Sequence, residues 1–454
     1  MQRLWARQAL VDGAWQRDVL VEIGVDGRIA HVAAGRPAEG QTVGLLLPAP
    51  ANAHSHAFQR AMAGLSEGRG PGGQDSFWTW RHLMYQFLGH LTPADVEAIA
   101  AFVQMEMLEA GFGASVEFHY LHHQPDGAPY AHLAEMSERI AAAAATSGIG
   151  LTLLPVAYQF GGCDGRPLGE EQRRFGNDPE RFARLVAEAG VALAGLPDDA
   201  VLGVAPHSLR AVGAADLSGF AKLVPGGPVH MHLAEQIGEV AEVEHCYGHR
   251  PVDWILDKGL VDDRWCLIHC TQMTPNETTG LAATGAVAGL CPITESNLGD
   301  GIFDGLRWAR AGGALAVGSD SNIRISLNEE LRVLEYSQRL RDRSRAVLAT
   351  PEMSTGRRLF TAVATGGAQA AGRSSGRLAI GGWADLVALN AEDPALAGLD
   401  GDPLLDSWIF AAGDKLVWQV WSAGRHLVQE GRHVRHEEIT AAYCKVITRL
   451  REQL

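Results

Sequence analysis

Lysine is scarce in this 454-residue chain: of 38 basic residues only Lys222, Lys258, Lys415 and Lys445 are lysines. Cysteine is sparse too. Six are scattered along the chain with no C-x-x-C spacing, and a chain of this length needs no disulfide staples. No apolar run approaches the ~20 residues of a membrane span. The opening MQRLWARQALVDGAW has neither a continuous apolar core nor a cleavage pattern, so no secretory leader is expected. No G-x-G-x-x-G follows an apolar run, which counts against a dinucleotide-binding open sheet. Basic residues are outnumbered by 53 acidic ones, for a formal net charge of −15. That sign disfavours nucleic acid and anionic membrane surfaces, and obliges an anionic ligand to find a local cationic pocket. These absences point to a reducing cytoplasm.

What is present is a globular balance, 46% hydrophobic and 20% charged, which excludes general disorder. Residues 1–45 read as short β-runs with Asp12-Gly13 and Asp26-Gly27 as hairpin turns. The texture then changes. Eight apolar runs alternate with helical patterns such as PADVEAIAAFVQMEMLEAG: LLLPAPANAHSH, GASVEFHYLHH, IGLTLLPVAY, AVLGVAPHS, GPVHMHLAE, WCLIHC, AVAGLCPI and ALAVGSDS. Strands nearly continuous in apolar residues and separated by helices indicate a parallel sheet covered on both faces. Eight units suggest an α/β fold, a closed (β/α)8 TIM-like barrel over residues 46–372. After Gly372 the β-texture returns, so residues 1–45 and 373–435 are expected to build one small β-sandwich domain from both chain ends. Residues 436–454 read as an amphipathic helix. Two stretches, Ser66–Gln74 and Gly161–Asp178, read as long loops that either close over a site or lie on the surface.

In such a barrel the chemistry sits at the C-terminal strand ends, and the runs end in polar residues. His54 and His56 close the first run and lie two apart, a spacing that puts both imidazoles on one face of an extended segment. With His232 from HMHLAEQ and Asp320 from VGSDSN they make three imidazoles and a carboxylate, which suit Zn²⁺ or Fe²⁺. His230 shares the face of His232, and spacing does not separate them; nearness to the strand end favours His232. Some barrel hydrolases hold two metals through a carboxylated lysine on the fourth strand. AVLGVAPHS has no lysine, so one metal is expected. Such a metal makes water acidic near neutral pH, and a carboxylate must then carry its proton. Glu235, three residues past His232, fits that task, and His269 at the end of the sixth run is placed to polarise a substrate.

These residues resemble the amidohydrolase superfamily in its single-metal deaminase branch, over essentially the whole chain, including GGWADLVAL at 381–389. NAHSHAFQRAMAG, EFHYLHH, APHSLRAV, HMHLAEQ and GSDSN are similar in more detail to the formimidoylglutamate deiminase family. The resemblance implies hydrolysis of N-formimino-L-glutamate to N-formyl-L-glutamate and ammonia, within histidine degradation. It implies one zinc per subunit on His54, His56, His232 and Asp320, proton transfer by Glu235, His269 and Asp320, and substrate contacts from Gln59, Arg81, Tyr120, His207 and Arg210. A small anionic substrate and a homo-oligomer, a dimer, are expected. The paired arginines suit a dicarboxylate independently, since each guanidinium offers a bidentate fork. Two other readings compete. One is deamination of a purine or other ring amidine, whose pocket is expected to carry aromatic walls instead of paired arginines. The other is a metal-binding barrel without catalysis.

Overall fold

Residues 1–68 and 77–453 are described by a computed structural model. Four strands open the chain: β1 (Gln2–Val11), β2 (Ala14–Ile23), β3 (Ile29–Ala33) and β4 (Gln41–Pro48). Next come β5 (Ala51–Ser55), β6 (Ala114–His119), β7 (Gly150–Ala157), β8 (Val201–Leu202), β9 (Ala205–Pro206), β10 (Val229–Leu233), β11 (Trp265–His269), β12 (Val287–Leu290) and β13 (Ala314–Val317). The last four are β14 (Leu386–Leu389), β15 (Val417–Ser422), β16 (Arg425–Gln429) and β17 (Arg432–His433).

The chain ends share one eight-stranded sheet in the order β17-β16-β15-β14-β4-β1-β2-β3. β1 and β4 are parallel, and the other neighbours are antiparallel. The sheet curls around its own core of Leu4, Val19, Val21, Leu46, Leu386 and Trp421. Both hairpin turns form where the Asp-Gly pairs stand. At the second, a Cβ on Gly27 would lie 2.3 Å from the Ala423 carbonyl oxygen, so only glycine lets the two chain ends meet there.

The barrel has eight staves. β5 to β8 and β10 to β13 form two parallel runs, with β9 continuing the fourth stave beside β7. Bridges Val204–Val229 and Ser55–Asp320 close the ring. Every residue of β6, β7, β10 and β11 is buried, as strands covered on both faces should be. The chain passes from sheet to barrel slightly later than the change of texture at residue 45, because Leu45 to Pro48 pair with β14. Helix Pro93–Glu109 starts at a capping box: Thr92 Oγ1 accepts from the Asp95 amide at 3.3 Å and Asp95 Oδ2 accepts from the Thr92 amide at 2.9 Å. The C-terminal helix, His436–Arg451, lies against it, with Tyr443 stacked on Phe102 at 3.9 Å. No helix among the described residues is long and apolar enough to cross a membrane.

A buried ion cluster welds the two parts. Arg373 donates to Asp385 through Nε at 3.1 Å and Nη2 at 3.0 Å, and to Asp199 Oδ2 at 2.9 Å. Arg425 adds two bonds to Asp199, both 2.8 Å. Asp385 also accepts from the Ala423 amide at 2.7 Å.

Candidate active site

Closure of the barrel brings the first and last staves together through candidate ligands. The His56 amide donates to the Asp320 carbonyl at 2.9 Å, and the Asp320 amide to the His54 carbonyl at 2.9 Å. A Cβ at Gly318 would lie 2.5 Å from the His54 nitrogen, which explains a glycine at the start of GSDSN. The rest of that motif braces the junction: Ser319 Oγ accepts from Asn52 at 2.7 Å and donates to Asn322 Oδ1 at 2.6 Å.

The side chains of His54, His56, His232 and Asp320 are all buried, and their ligand atoms lie within 4.8 Å of one another. His54 Nε2 is 3.1 Å from both His56 Nε2 and His232 Nε2, and the latter two are 3.4 Å apart. Asp320 Oδ1 stands 3.5 Å from His54 Nε2 and 3.3 Å from His56 Nε2. Zinc–ligand bonds of about 2.0–2.2 Å put neighbouring ligand atoms about 2.8–3.6 Å apart, from right-angled to tetrahedral arrangements, so these four donors can reach one such ion. Tautomers agree. His56 Nδ1 donates to the Phe118 carbonyl at 2.9 Å and His232 Nδ1 to the His207 carbonyl at 3.1 Å, which leaves both Nε2 lone pairs facing inward. Lone pairs converging without protons between them repel unless a cation lies among them. Burial pushes the His54 imidazolium down to about 3, with His56 pushing the same way, and burial lowers His56 and His232 as well. The rings are therefore neutral, as ligands must be. Burial alone raises the Asp320 carboxyl, but the adjoining histidines, His54 first, outweigh it and hold Asp320 below the usual carboxylate range.

His230 takes no part. Its Nε2 donates to the Ala370 carbonyl at 2.7 Å. The β10–β11 register sets His230 beside Cys266 and His232 beside Ile268, two residues nearer the mouth. Depth in the barrel, not facing, separates the two histidines.

Glu235 and His269 stand next to this set. Glu235 Oε1 is 3.8 Å from His269 Nε2, while His269 Nδ1 is 3.2 Å from Glu295 Oε1. Burial raises the Glu235 carboxyl. Burial would lower His269, yet Glu235, Glu295 and Asp320 together raise it well above the ordinary histidine value. Register places His269 beside Leu233, on the face away from His232, but its φ of 71° turns the chain and brings the ring into the cavity. Positive φ recurs at Ala234 (53°) and Asp320 (44°), so three strand ends carry strained backbone where functional side chains leave them.

One cavity at the mouth is lined by ten of the eleven residues singled out in the sequence: His56, Gln59, Arg81, Tyr120, His207, Arg210, His232, Glu235, His269 and Asp320. His54 lies beneath, fully buried. Gln59 donates to the Tyr120 hydroxyl at 2.7 Å. The remaining wall includes Tyr158, and sequence reasoning missed its other aromatics, Trp80, Tyr85 and Phe175. Tyr158 marks a strand end and was legible as such; the Tyr158 hydroxyl accepts from Arg81 at 3.1 Å and from Gln172 at 3.1 Å. Aromatic walls and paired arginines thus occur together, and one of the aromatics orients an arginine. The Gly161–Asp178 segment supplies Phe175 to the cavity. Its Arg174 is buried and donates to the His123 carbonyl at 2.8 Å and the Leu91 carbonyl at 3.1 Å, so it is a structural staple. Of the other expected loop, residues 69–74 lie outside the described residues.

A closed parallel barrel that gathers three neutral imidazoles and an aspartate at its mouth, beside a buried glutamate, defines the metal-dependent amidohydrolase class. The Amidohydrolase family model matches residues 45–427, and the chain belongs to that family. Residues 1–42 match the model described as formimidoylglutamate deiminase HutF, N-terminal domain. The formimidoylglutamate deiminase of Pseudomonas aeruginosa is 46% identical, over 99% of this chain and 100% of that protein. A crystal structure of an amidohydrolase from Brucella melitensis superposes with a TM-score of 0.95 at 48% identity, covering 99% of this chain and 100% of that one. An adenosine deaminase from Xanthomonas campestris with bound zinc shares the fold, with a TM-score of 0.82 at 22% identity over 99% and 98% of the two chains.

Proposed function

We propose that this protein hydrolyses N-formimino-L-glutamate to N-formyl-L-glutamate and ammonia in histidine degradation, using one zinc ion held by His54, His56, His232 and Asp320. The observation that carries the reading is the pair of arginines, Arg81 and Arg210, in the same cavity as the Glu235–His269 pair, within a protein of net charge −15. Whole-length similarity to a relative of that name supports it. A divalent cation held by such a set acts as a Lewis acid and makes water a nucleophile near neutral pH. Arg81 and Arg210 bind the substrate carboxylates and orient the formimino group toward Glu235. Asp320 and Glu235 take up the protons of the attacking water. Glu235 delivers one to the departing nitrogen, the proton held by Asp320 follows to the same nitrogen, and the C–N bond breaks as the C=O bond forms, so that ammonia leaves. His269, kept protonated between Glu235 and Glu295, donates to the developing negative charge. Gln59, Tyr120 and His207 complete the wall that excludes bulk water.

The test compares ammonia release from formiminoglutamate, adenosine and guanine, with Glu235→Gln alongside. Formiminoglutamate alone should be turned over. The variant should keep its metal and lose about 10²- to 10⁴-fold or more in kcat, the range of general acid–base catalysis. An active Glu235→Gln enzyme ends the assignment. The aromatic wall favours a second reading, deamination of a ring amidine, and release from adenosine or guanine alone would establish it instead.

A further inference from the structure

The peptide that presents Glu235 is held from both sides. Its carbonyl side is bonded to the loop after β11: Thr271 Oγ1 donates to the Glu235 carbonyl at 2.7 Å, and the Gln272 amide to the Ala234 carbonyl at 2.9 Å. Its amide side is held by one side chain. Glu239 Oε1 accepts from the Ala234 amide at 3.1 Å and Glu239 Oε2 from the Glu235 amide at 2.9 Å, one oxygen for each N–H. Glu239 is 1% exposed, so these bonds are made away from water.

An ordinary helix cap does not account for this arrangement. Glu239 occupies the third position of helix Ile237–Tyr247, from which a capping-box glutamate reaches back to the amide of the N-cap residue, here Gln236. Glu239 reaches past it to the two preceding amides. Those belong to Ala234, whose φ is 53°, and to Glu235 itself. A left-handed alanine persists only where its surroundings over-determine it. The backbone that aims Glu235 into the cavity is therefore strained, and the Glu239 carboxylate is the group that offsets that strain from the amide side.

We propose that Glu239 is a positioning residue for the reaction: it acts through the Ala234–Glu235 backbone to hold the Glu235 carboxyl at the reacting atoms, and touches no substrate itself. The inference rests on the reading of Glu235 as the proton carrier and holds for a formimino substrate or a ring amidine alike. Displacing a reacting group by about 1 Å costs about 10²-fold, so kcat of Glu239→Ala should fall about 100-fold. KM should stay within about threefold, because the arginines that bind substrate are untouched.

The experiment measures kcat, KM, metal content and unfolding temperature for the wild-type holoenzyme, Glu239→Ala, Glu239→Gln, Glu239→Asp, Glu235→Gln and the double variant Glu235→Gln/Glu239→Ala. Glu239→Asp keeps both acceptors and should recover part of the rate. Glu239→Gln turns one acceptor into a donor against a donor and should recover little. The double variant should be no slower than Glu235→Gln alone. Full kcat per metal-loaded folded site in Glu239→Ala or Glu239→Gln, with only the unfolding temperature lowered, overturns the proposal. A further loss in the double variant also overturns it, since Glu239 would then act independently of Glu235. A wild type inert on formiminoglutamate, adenosine and guanine overturns the functional reading and this inference together, whereas an active wild type with unaffected Glu239 variants overturns this inference alone.

Discussion

Replacing Arg373 with methionine should be among the most damaging single changes outside the cavity. The side chain is fully buried, and so are its partners Asp199 and Asp385. Methionine fills much of the space but leaves two carboxylates to be accommodated. Asp199 keeps both bonds from Arg425, at 2.8 Å each. Asp385 keeps only the Ala423 amide among the side-chain contacts described above, at 2.7 Å. One buried carboxylate is thus stranded. Breaking a buried pair from one side costs about 3–5 kcal/mol, and with Asp199 still paired the lower half of that range applies. Denaturant titration followed by tryptophan fluorescence should show an earlier midpoint at unchanged slope. Adding Asp385→Asn removes the stranded charge and should recover most of the loss. A cost below about 1 kcal/mol, the range of exposed pairs, refutes the reasoning. So does a double variant less stable than Arg373→Met alone.

His230→Leu should keep its metal and its kcat while losing about 1–3 kcal/mol of stability, the cost of stranding the buried Ala370 carbonyl. His232→Leu should lose the metal, and metal analysis of the two proteins distinguishes them. Arg425 and Arg373 hold the folded Asp199 carboxyl below its ordinary range against the opposing effect of burial. A depressed folded value means its contribution is complete above the unfolded value of about 3.9 and is lost as pH falls through the folded one. Denaturation midpoints should therefore decline below about pH 4, less steeply in Asp199→Asn than in wild type. Dialysis against a chelator should abolish turnover and lower the unfolding temperature, and added zinc should restore both. Free metal at 100 times its dissociation constant stabilises by about 2.7 kcal/mol. Unchanged activity in chelated, metal-free protein refutes the ligand assignment.

Much of the site was legible because a barrel puts chemistry at strand ends, and strand ends show in a sequence as a polar residue after an apolar run. His54, His56, His232 and Asp320 announce themselves that way. Spacing did not separate His230 from His232, because period two reports facing and not depth; nearness to the strand end favoured His232, and the register of β10 against β11 sets that depth. The inward turn of His269 was hidden as well, since alternation along β11 places it on the outer face and a φ of 71° reverses that. Glu239 looked like any helix-surface glutamate. Its role depends on which amides a strained alanine presents, and no local pattern encodes that. The cavity's aromatic side came from Trp80, Tyr85 and Phe175, which sit outside strand ends and so carried no positional signal.

The small sheet imposes an order on biosynthesis. β4 runs to Pro48, and β5 with its histidines begins at Ala51, so the two are nearly continuous. Yet β4's neighbour β14 begins only at Leu386. A ribosome must therefore make every barrel strand through β13 before the scaffold abutting the first two histidines acquires this second partner strand. Until then β4 has β1 as its one neighbour in that sheet, and the scaffold abutting His54 and His56 is incomplete.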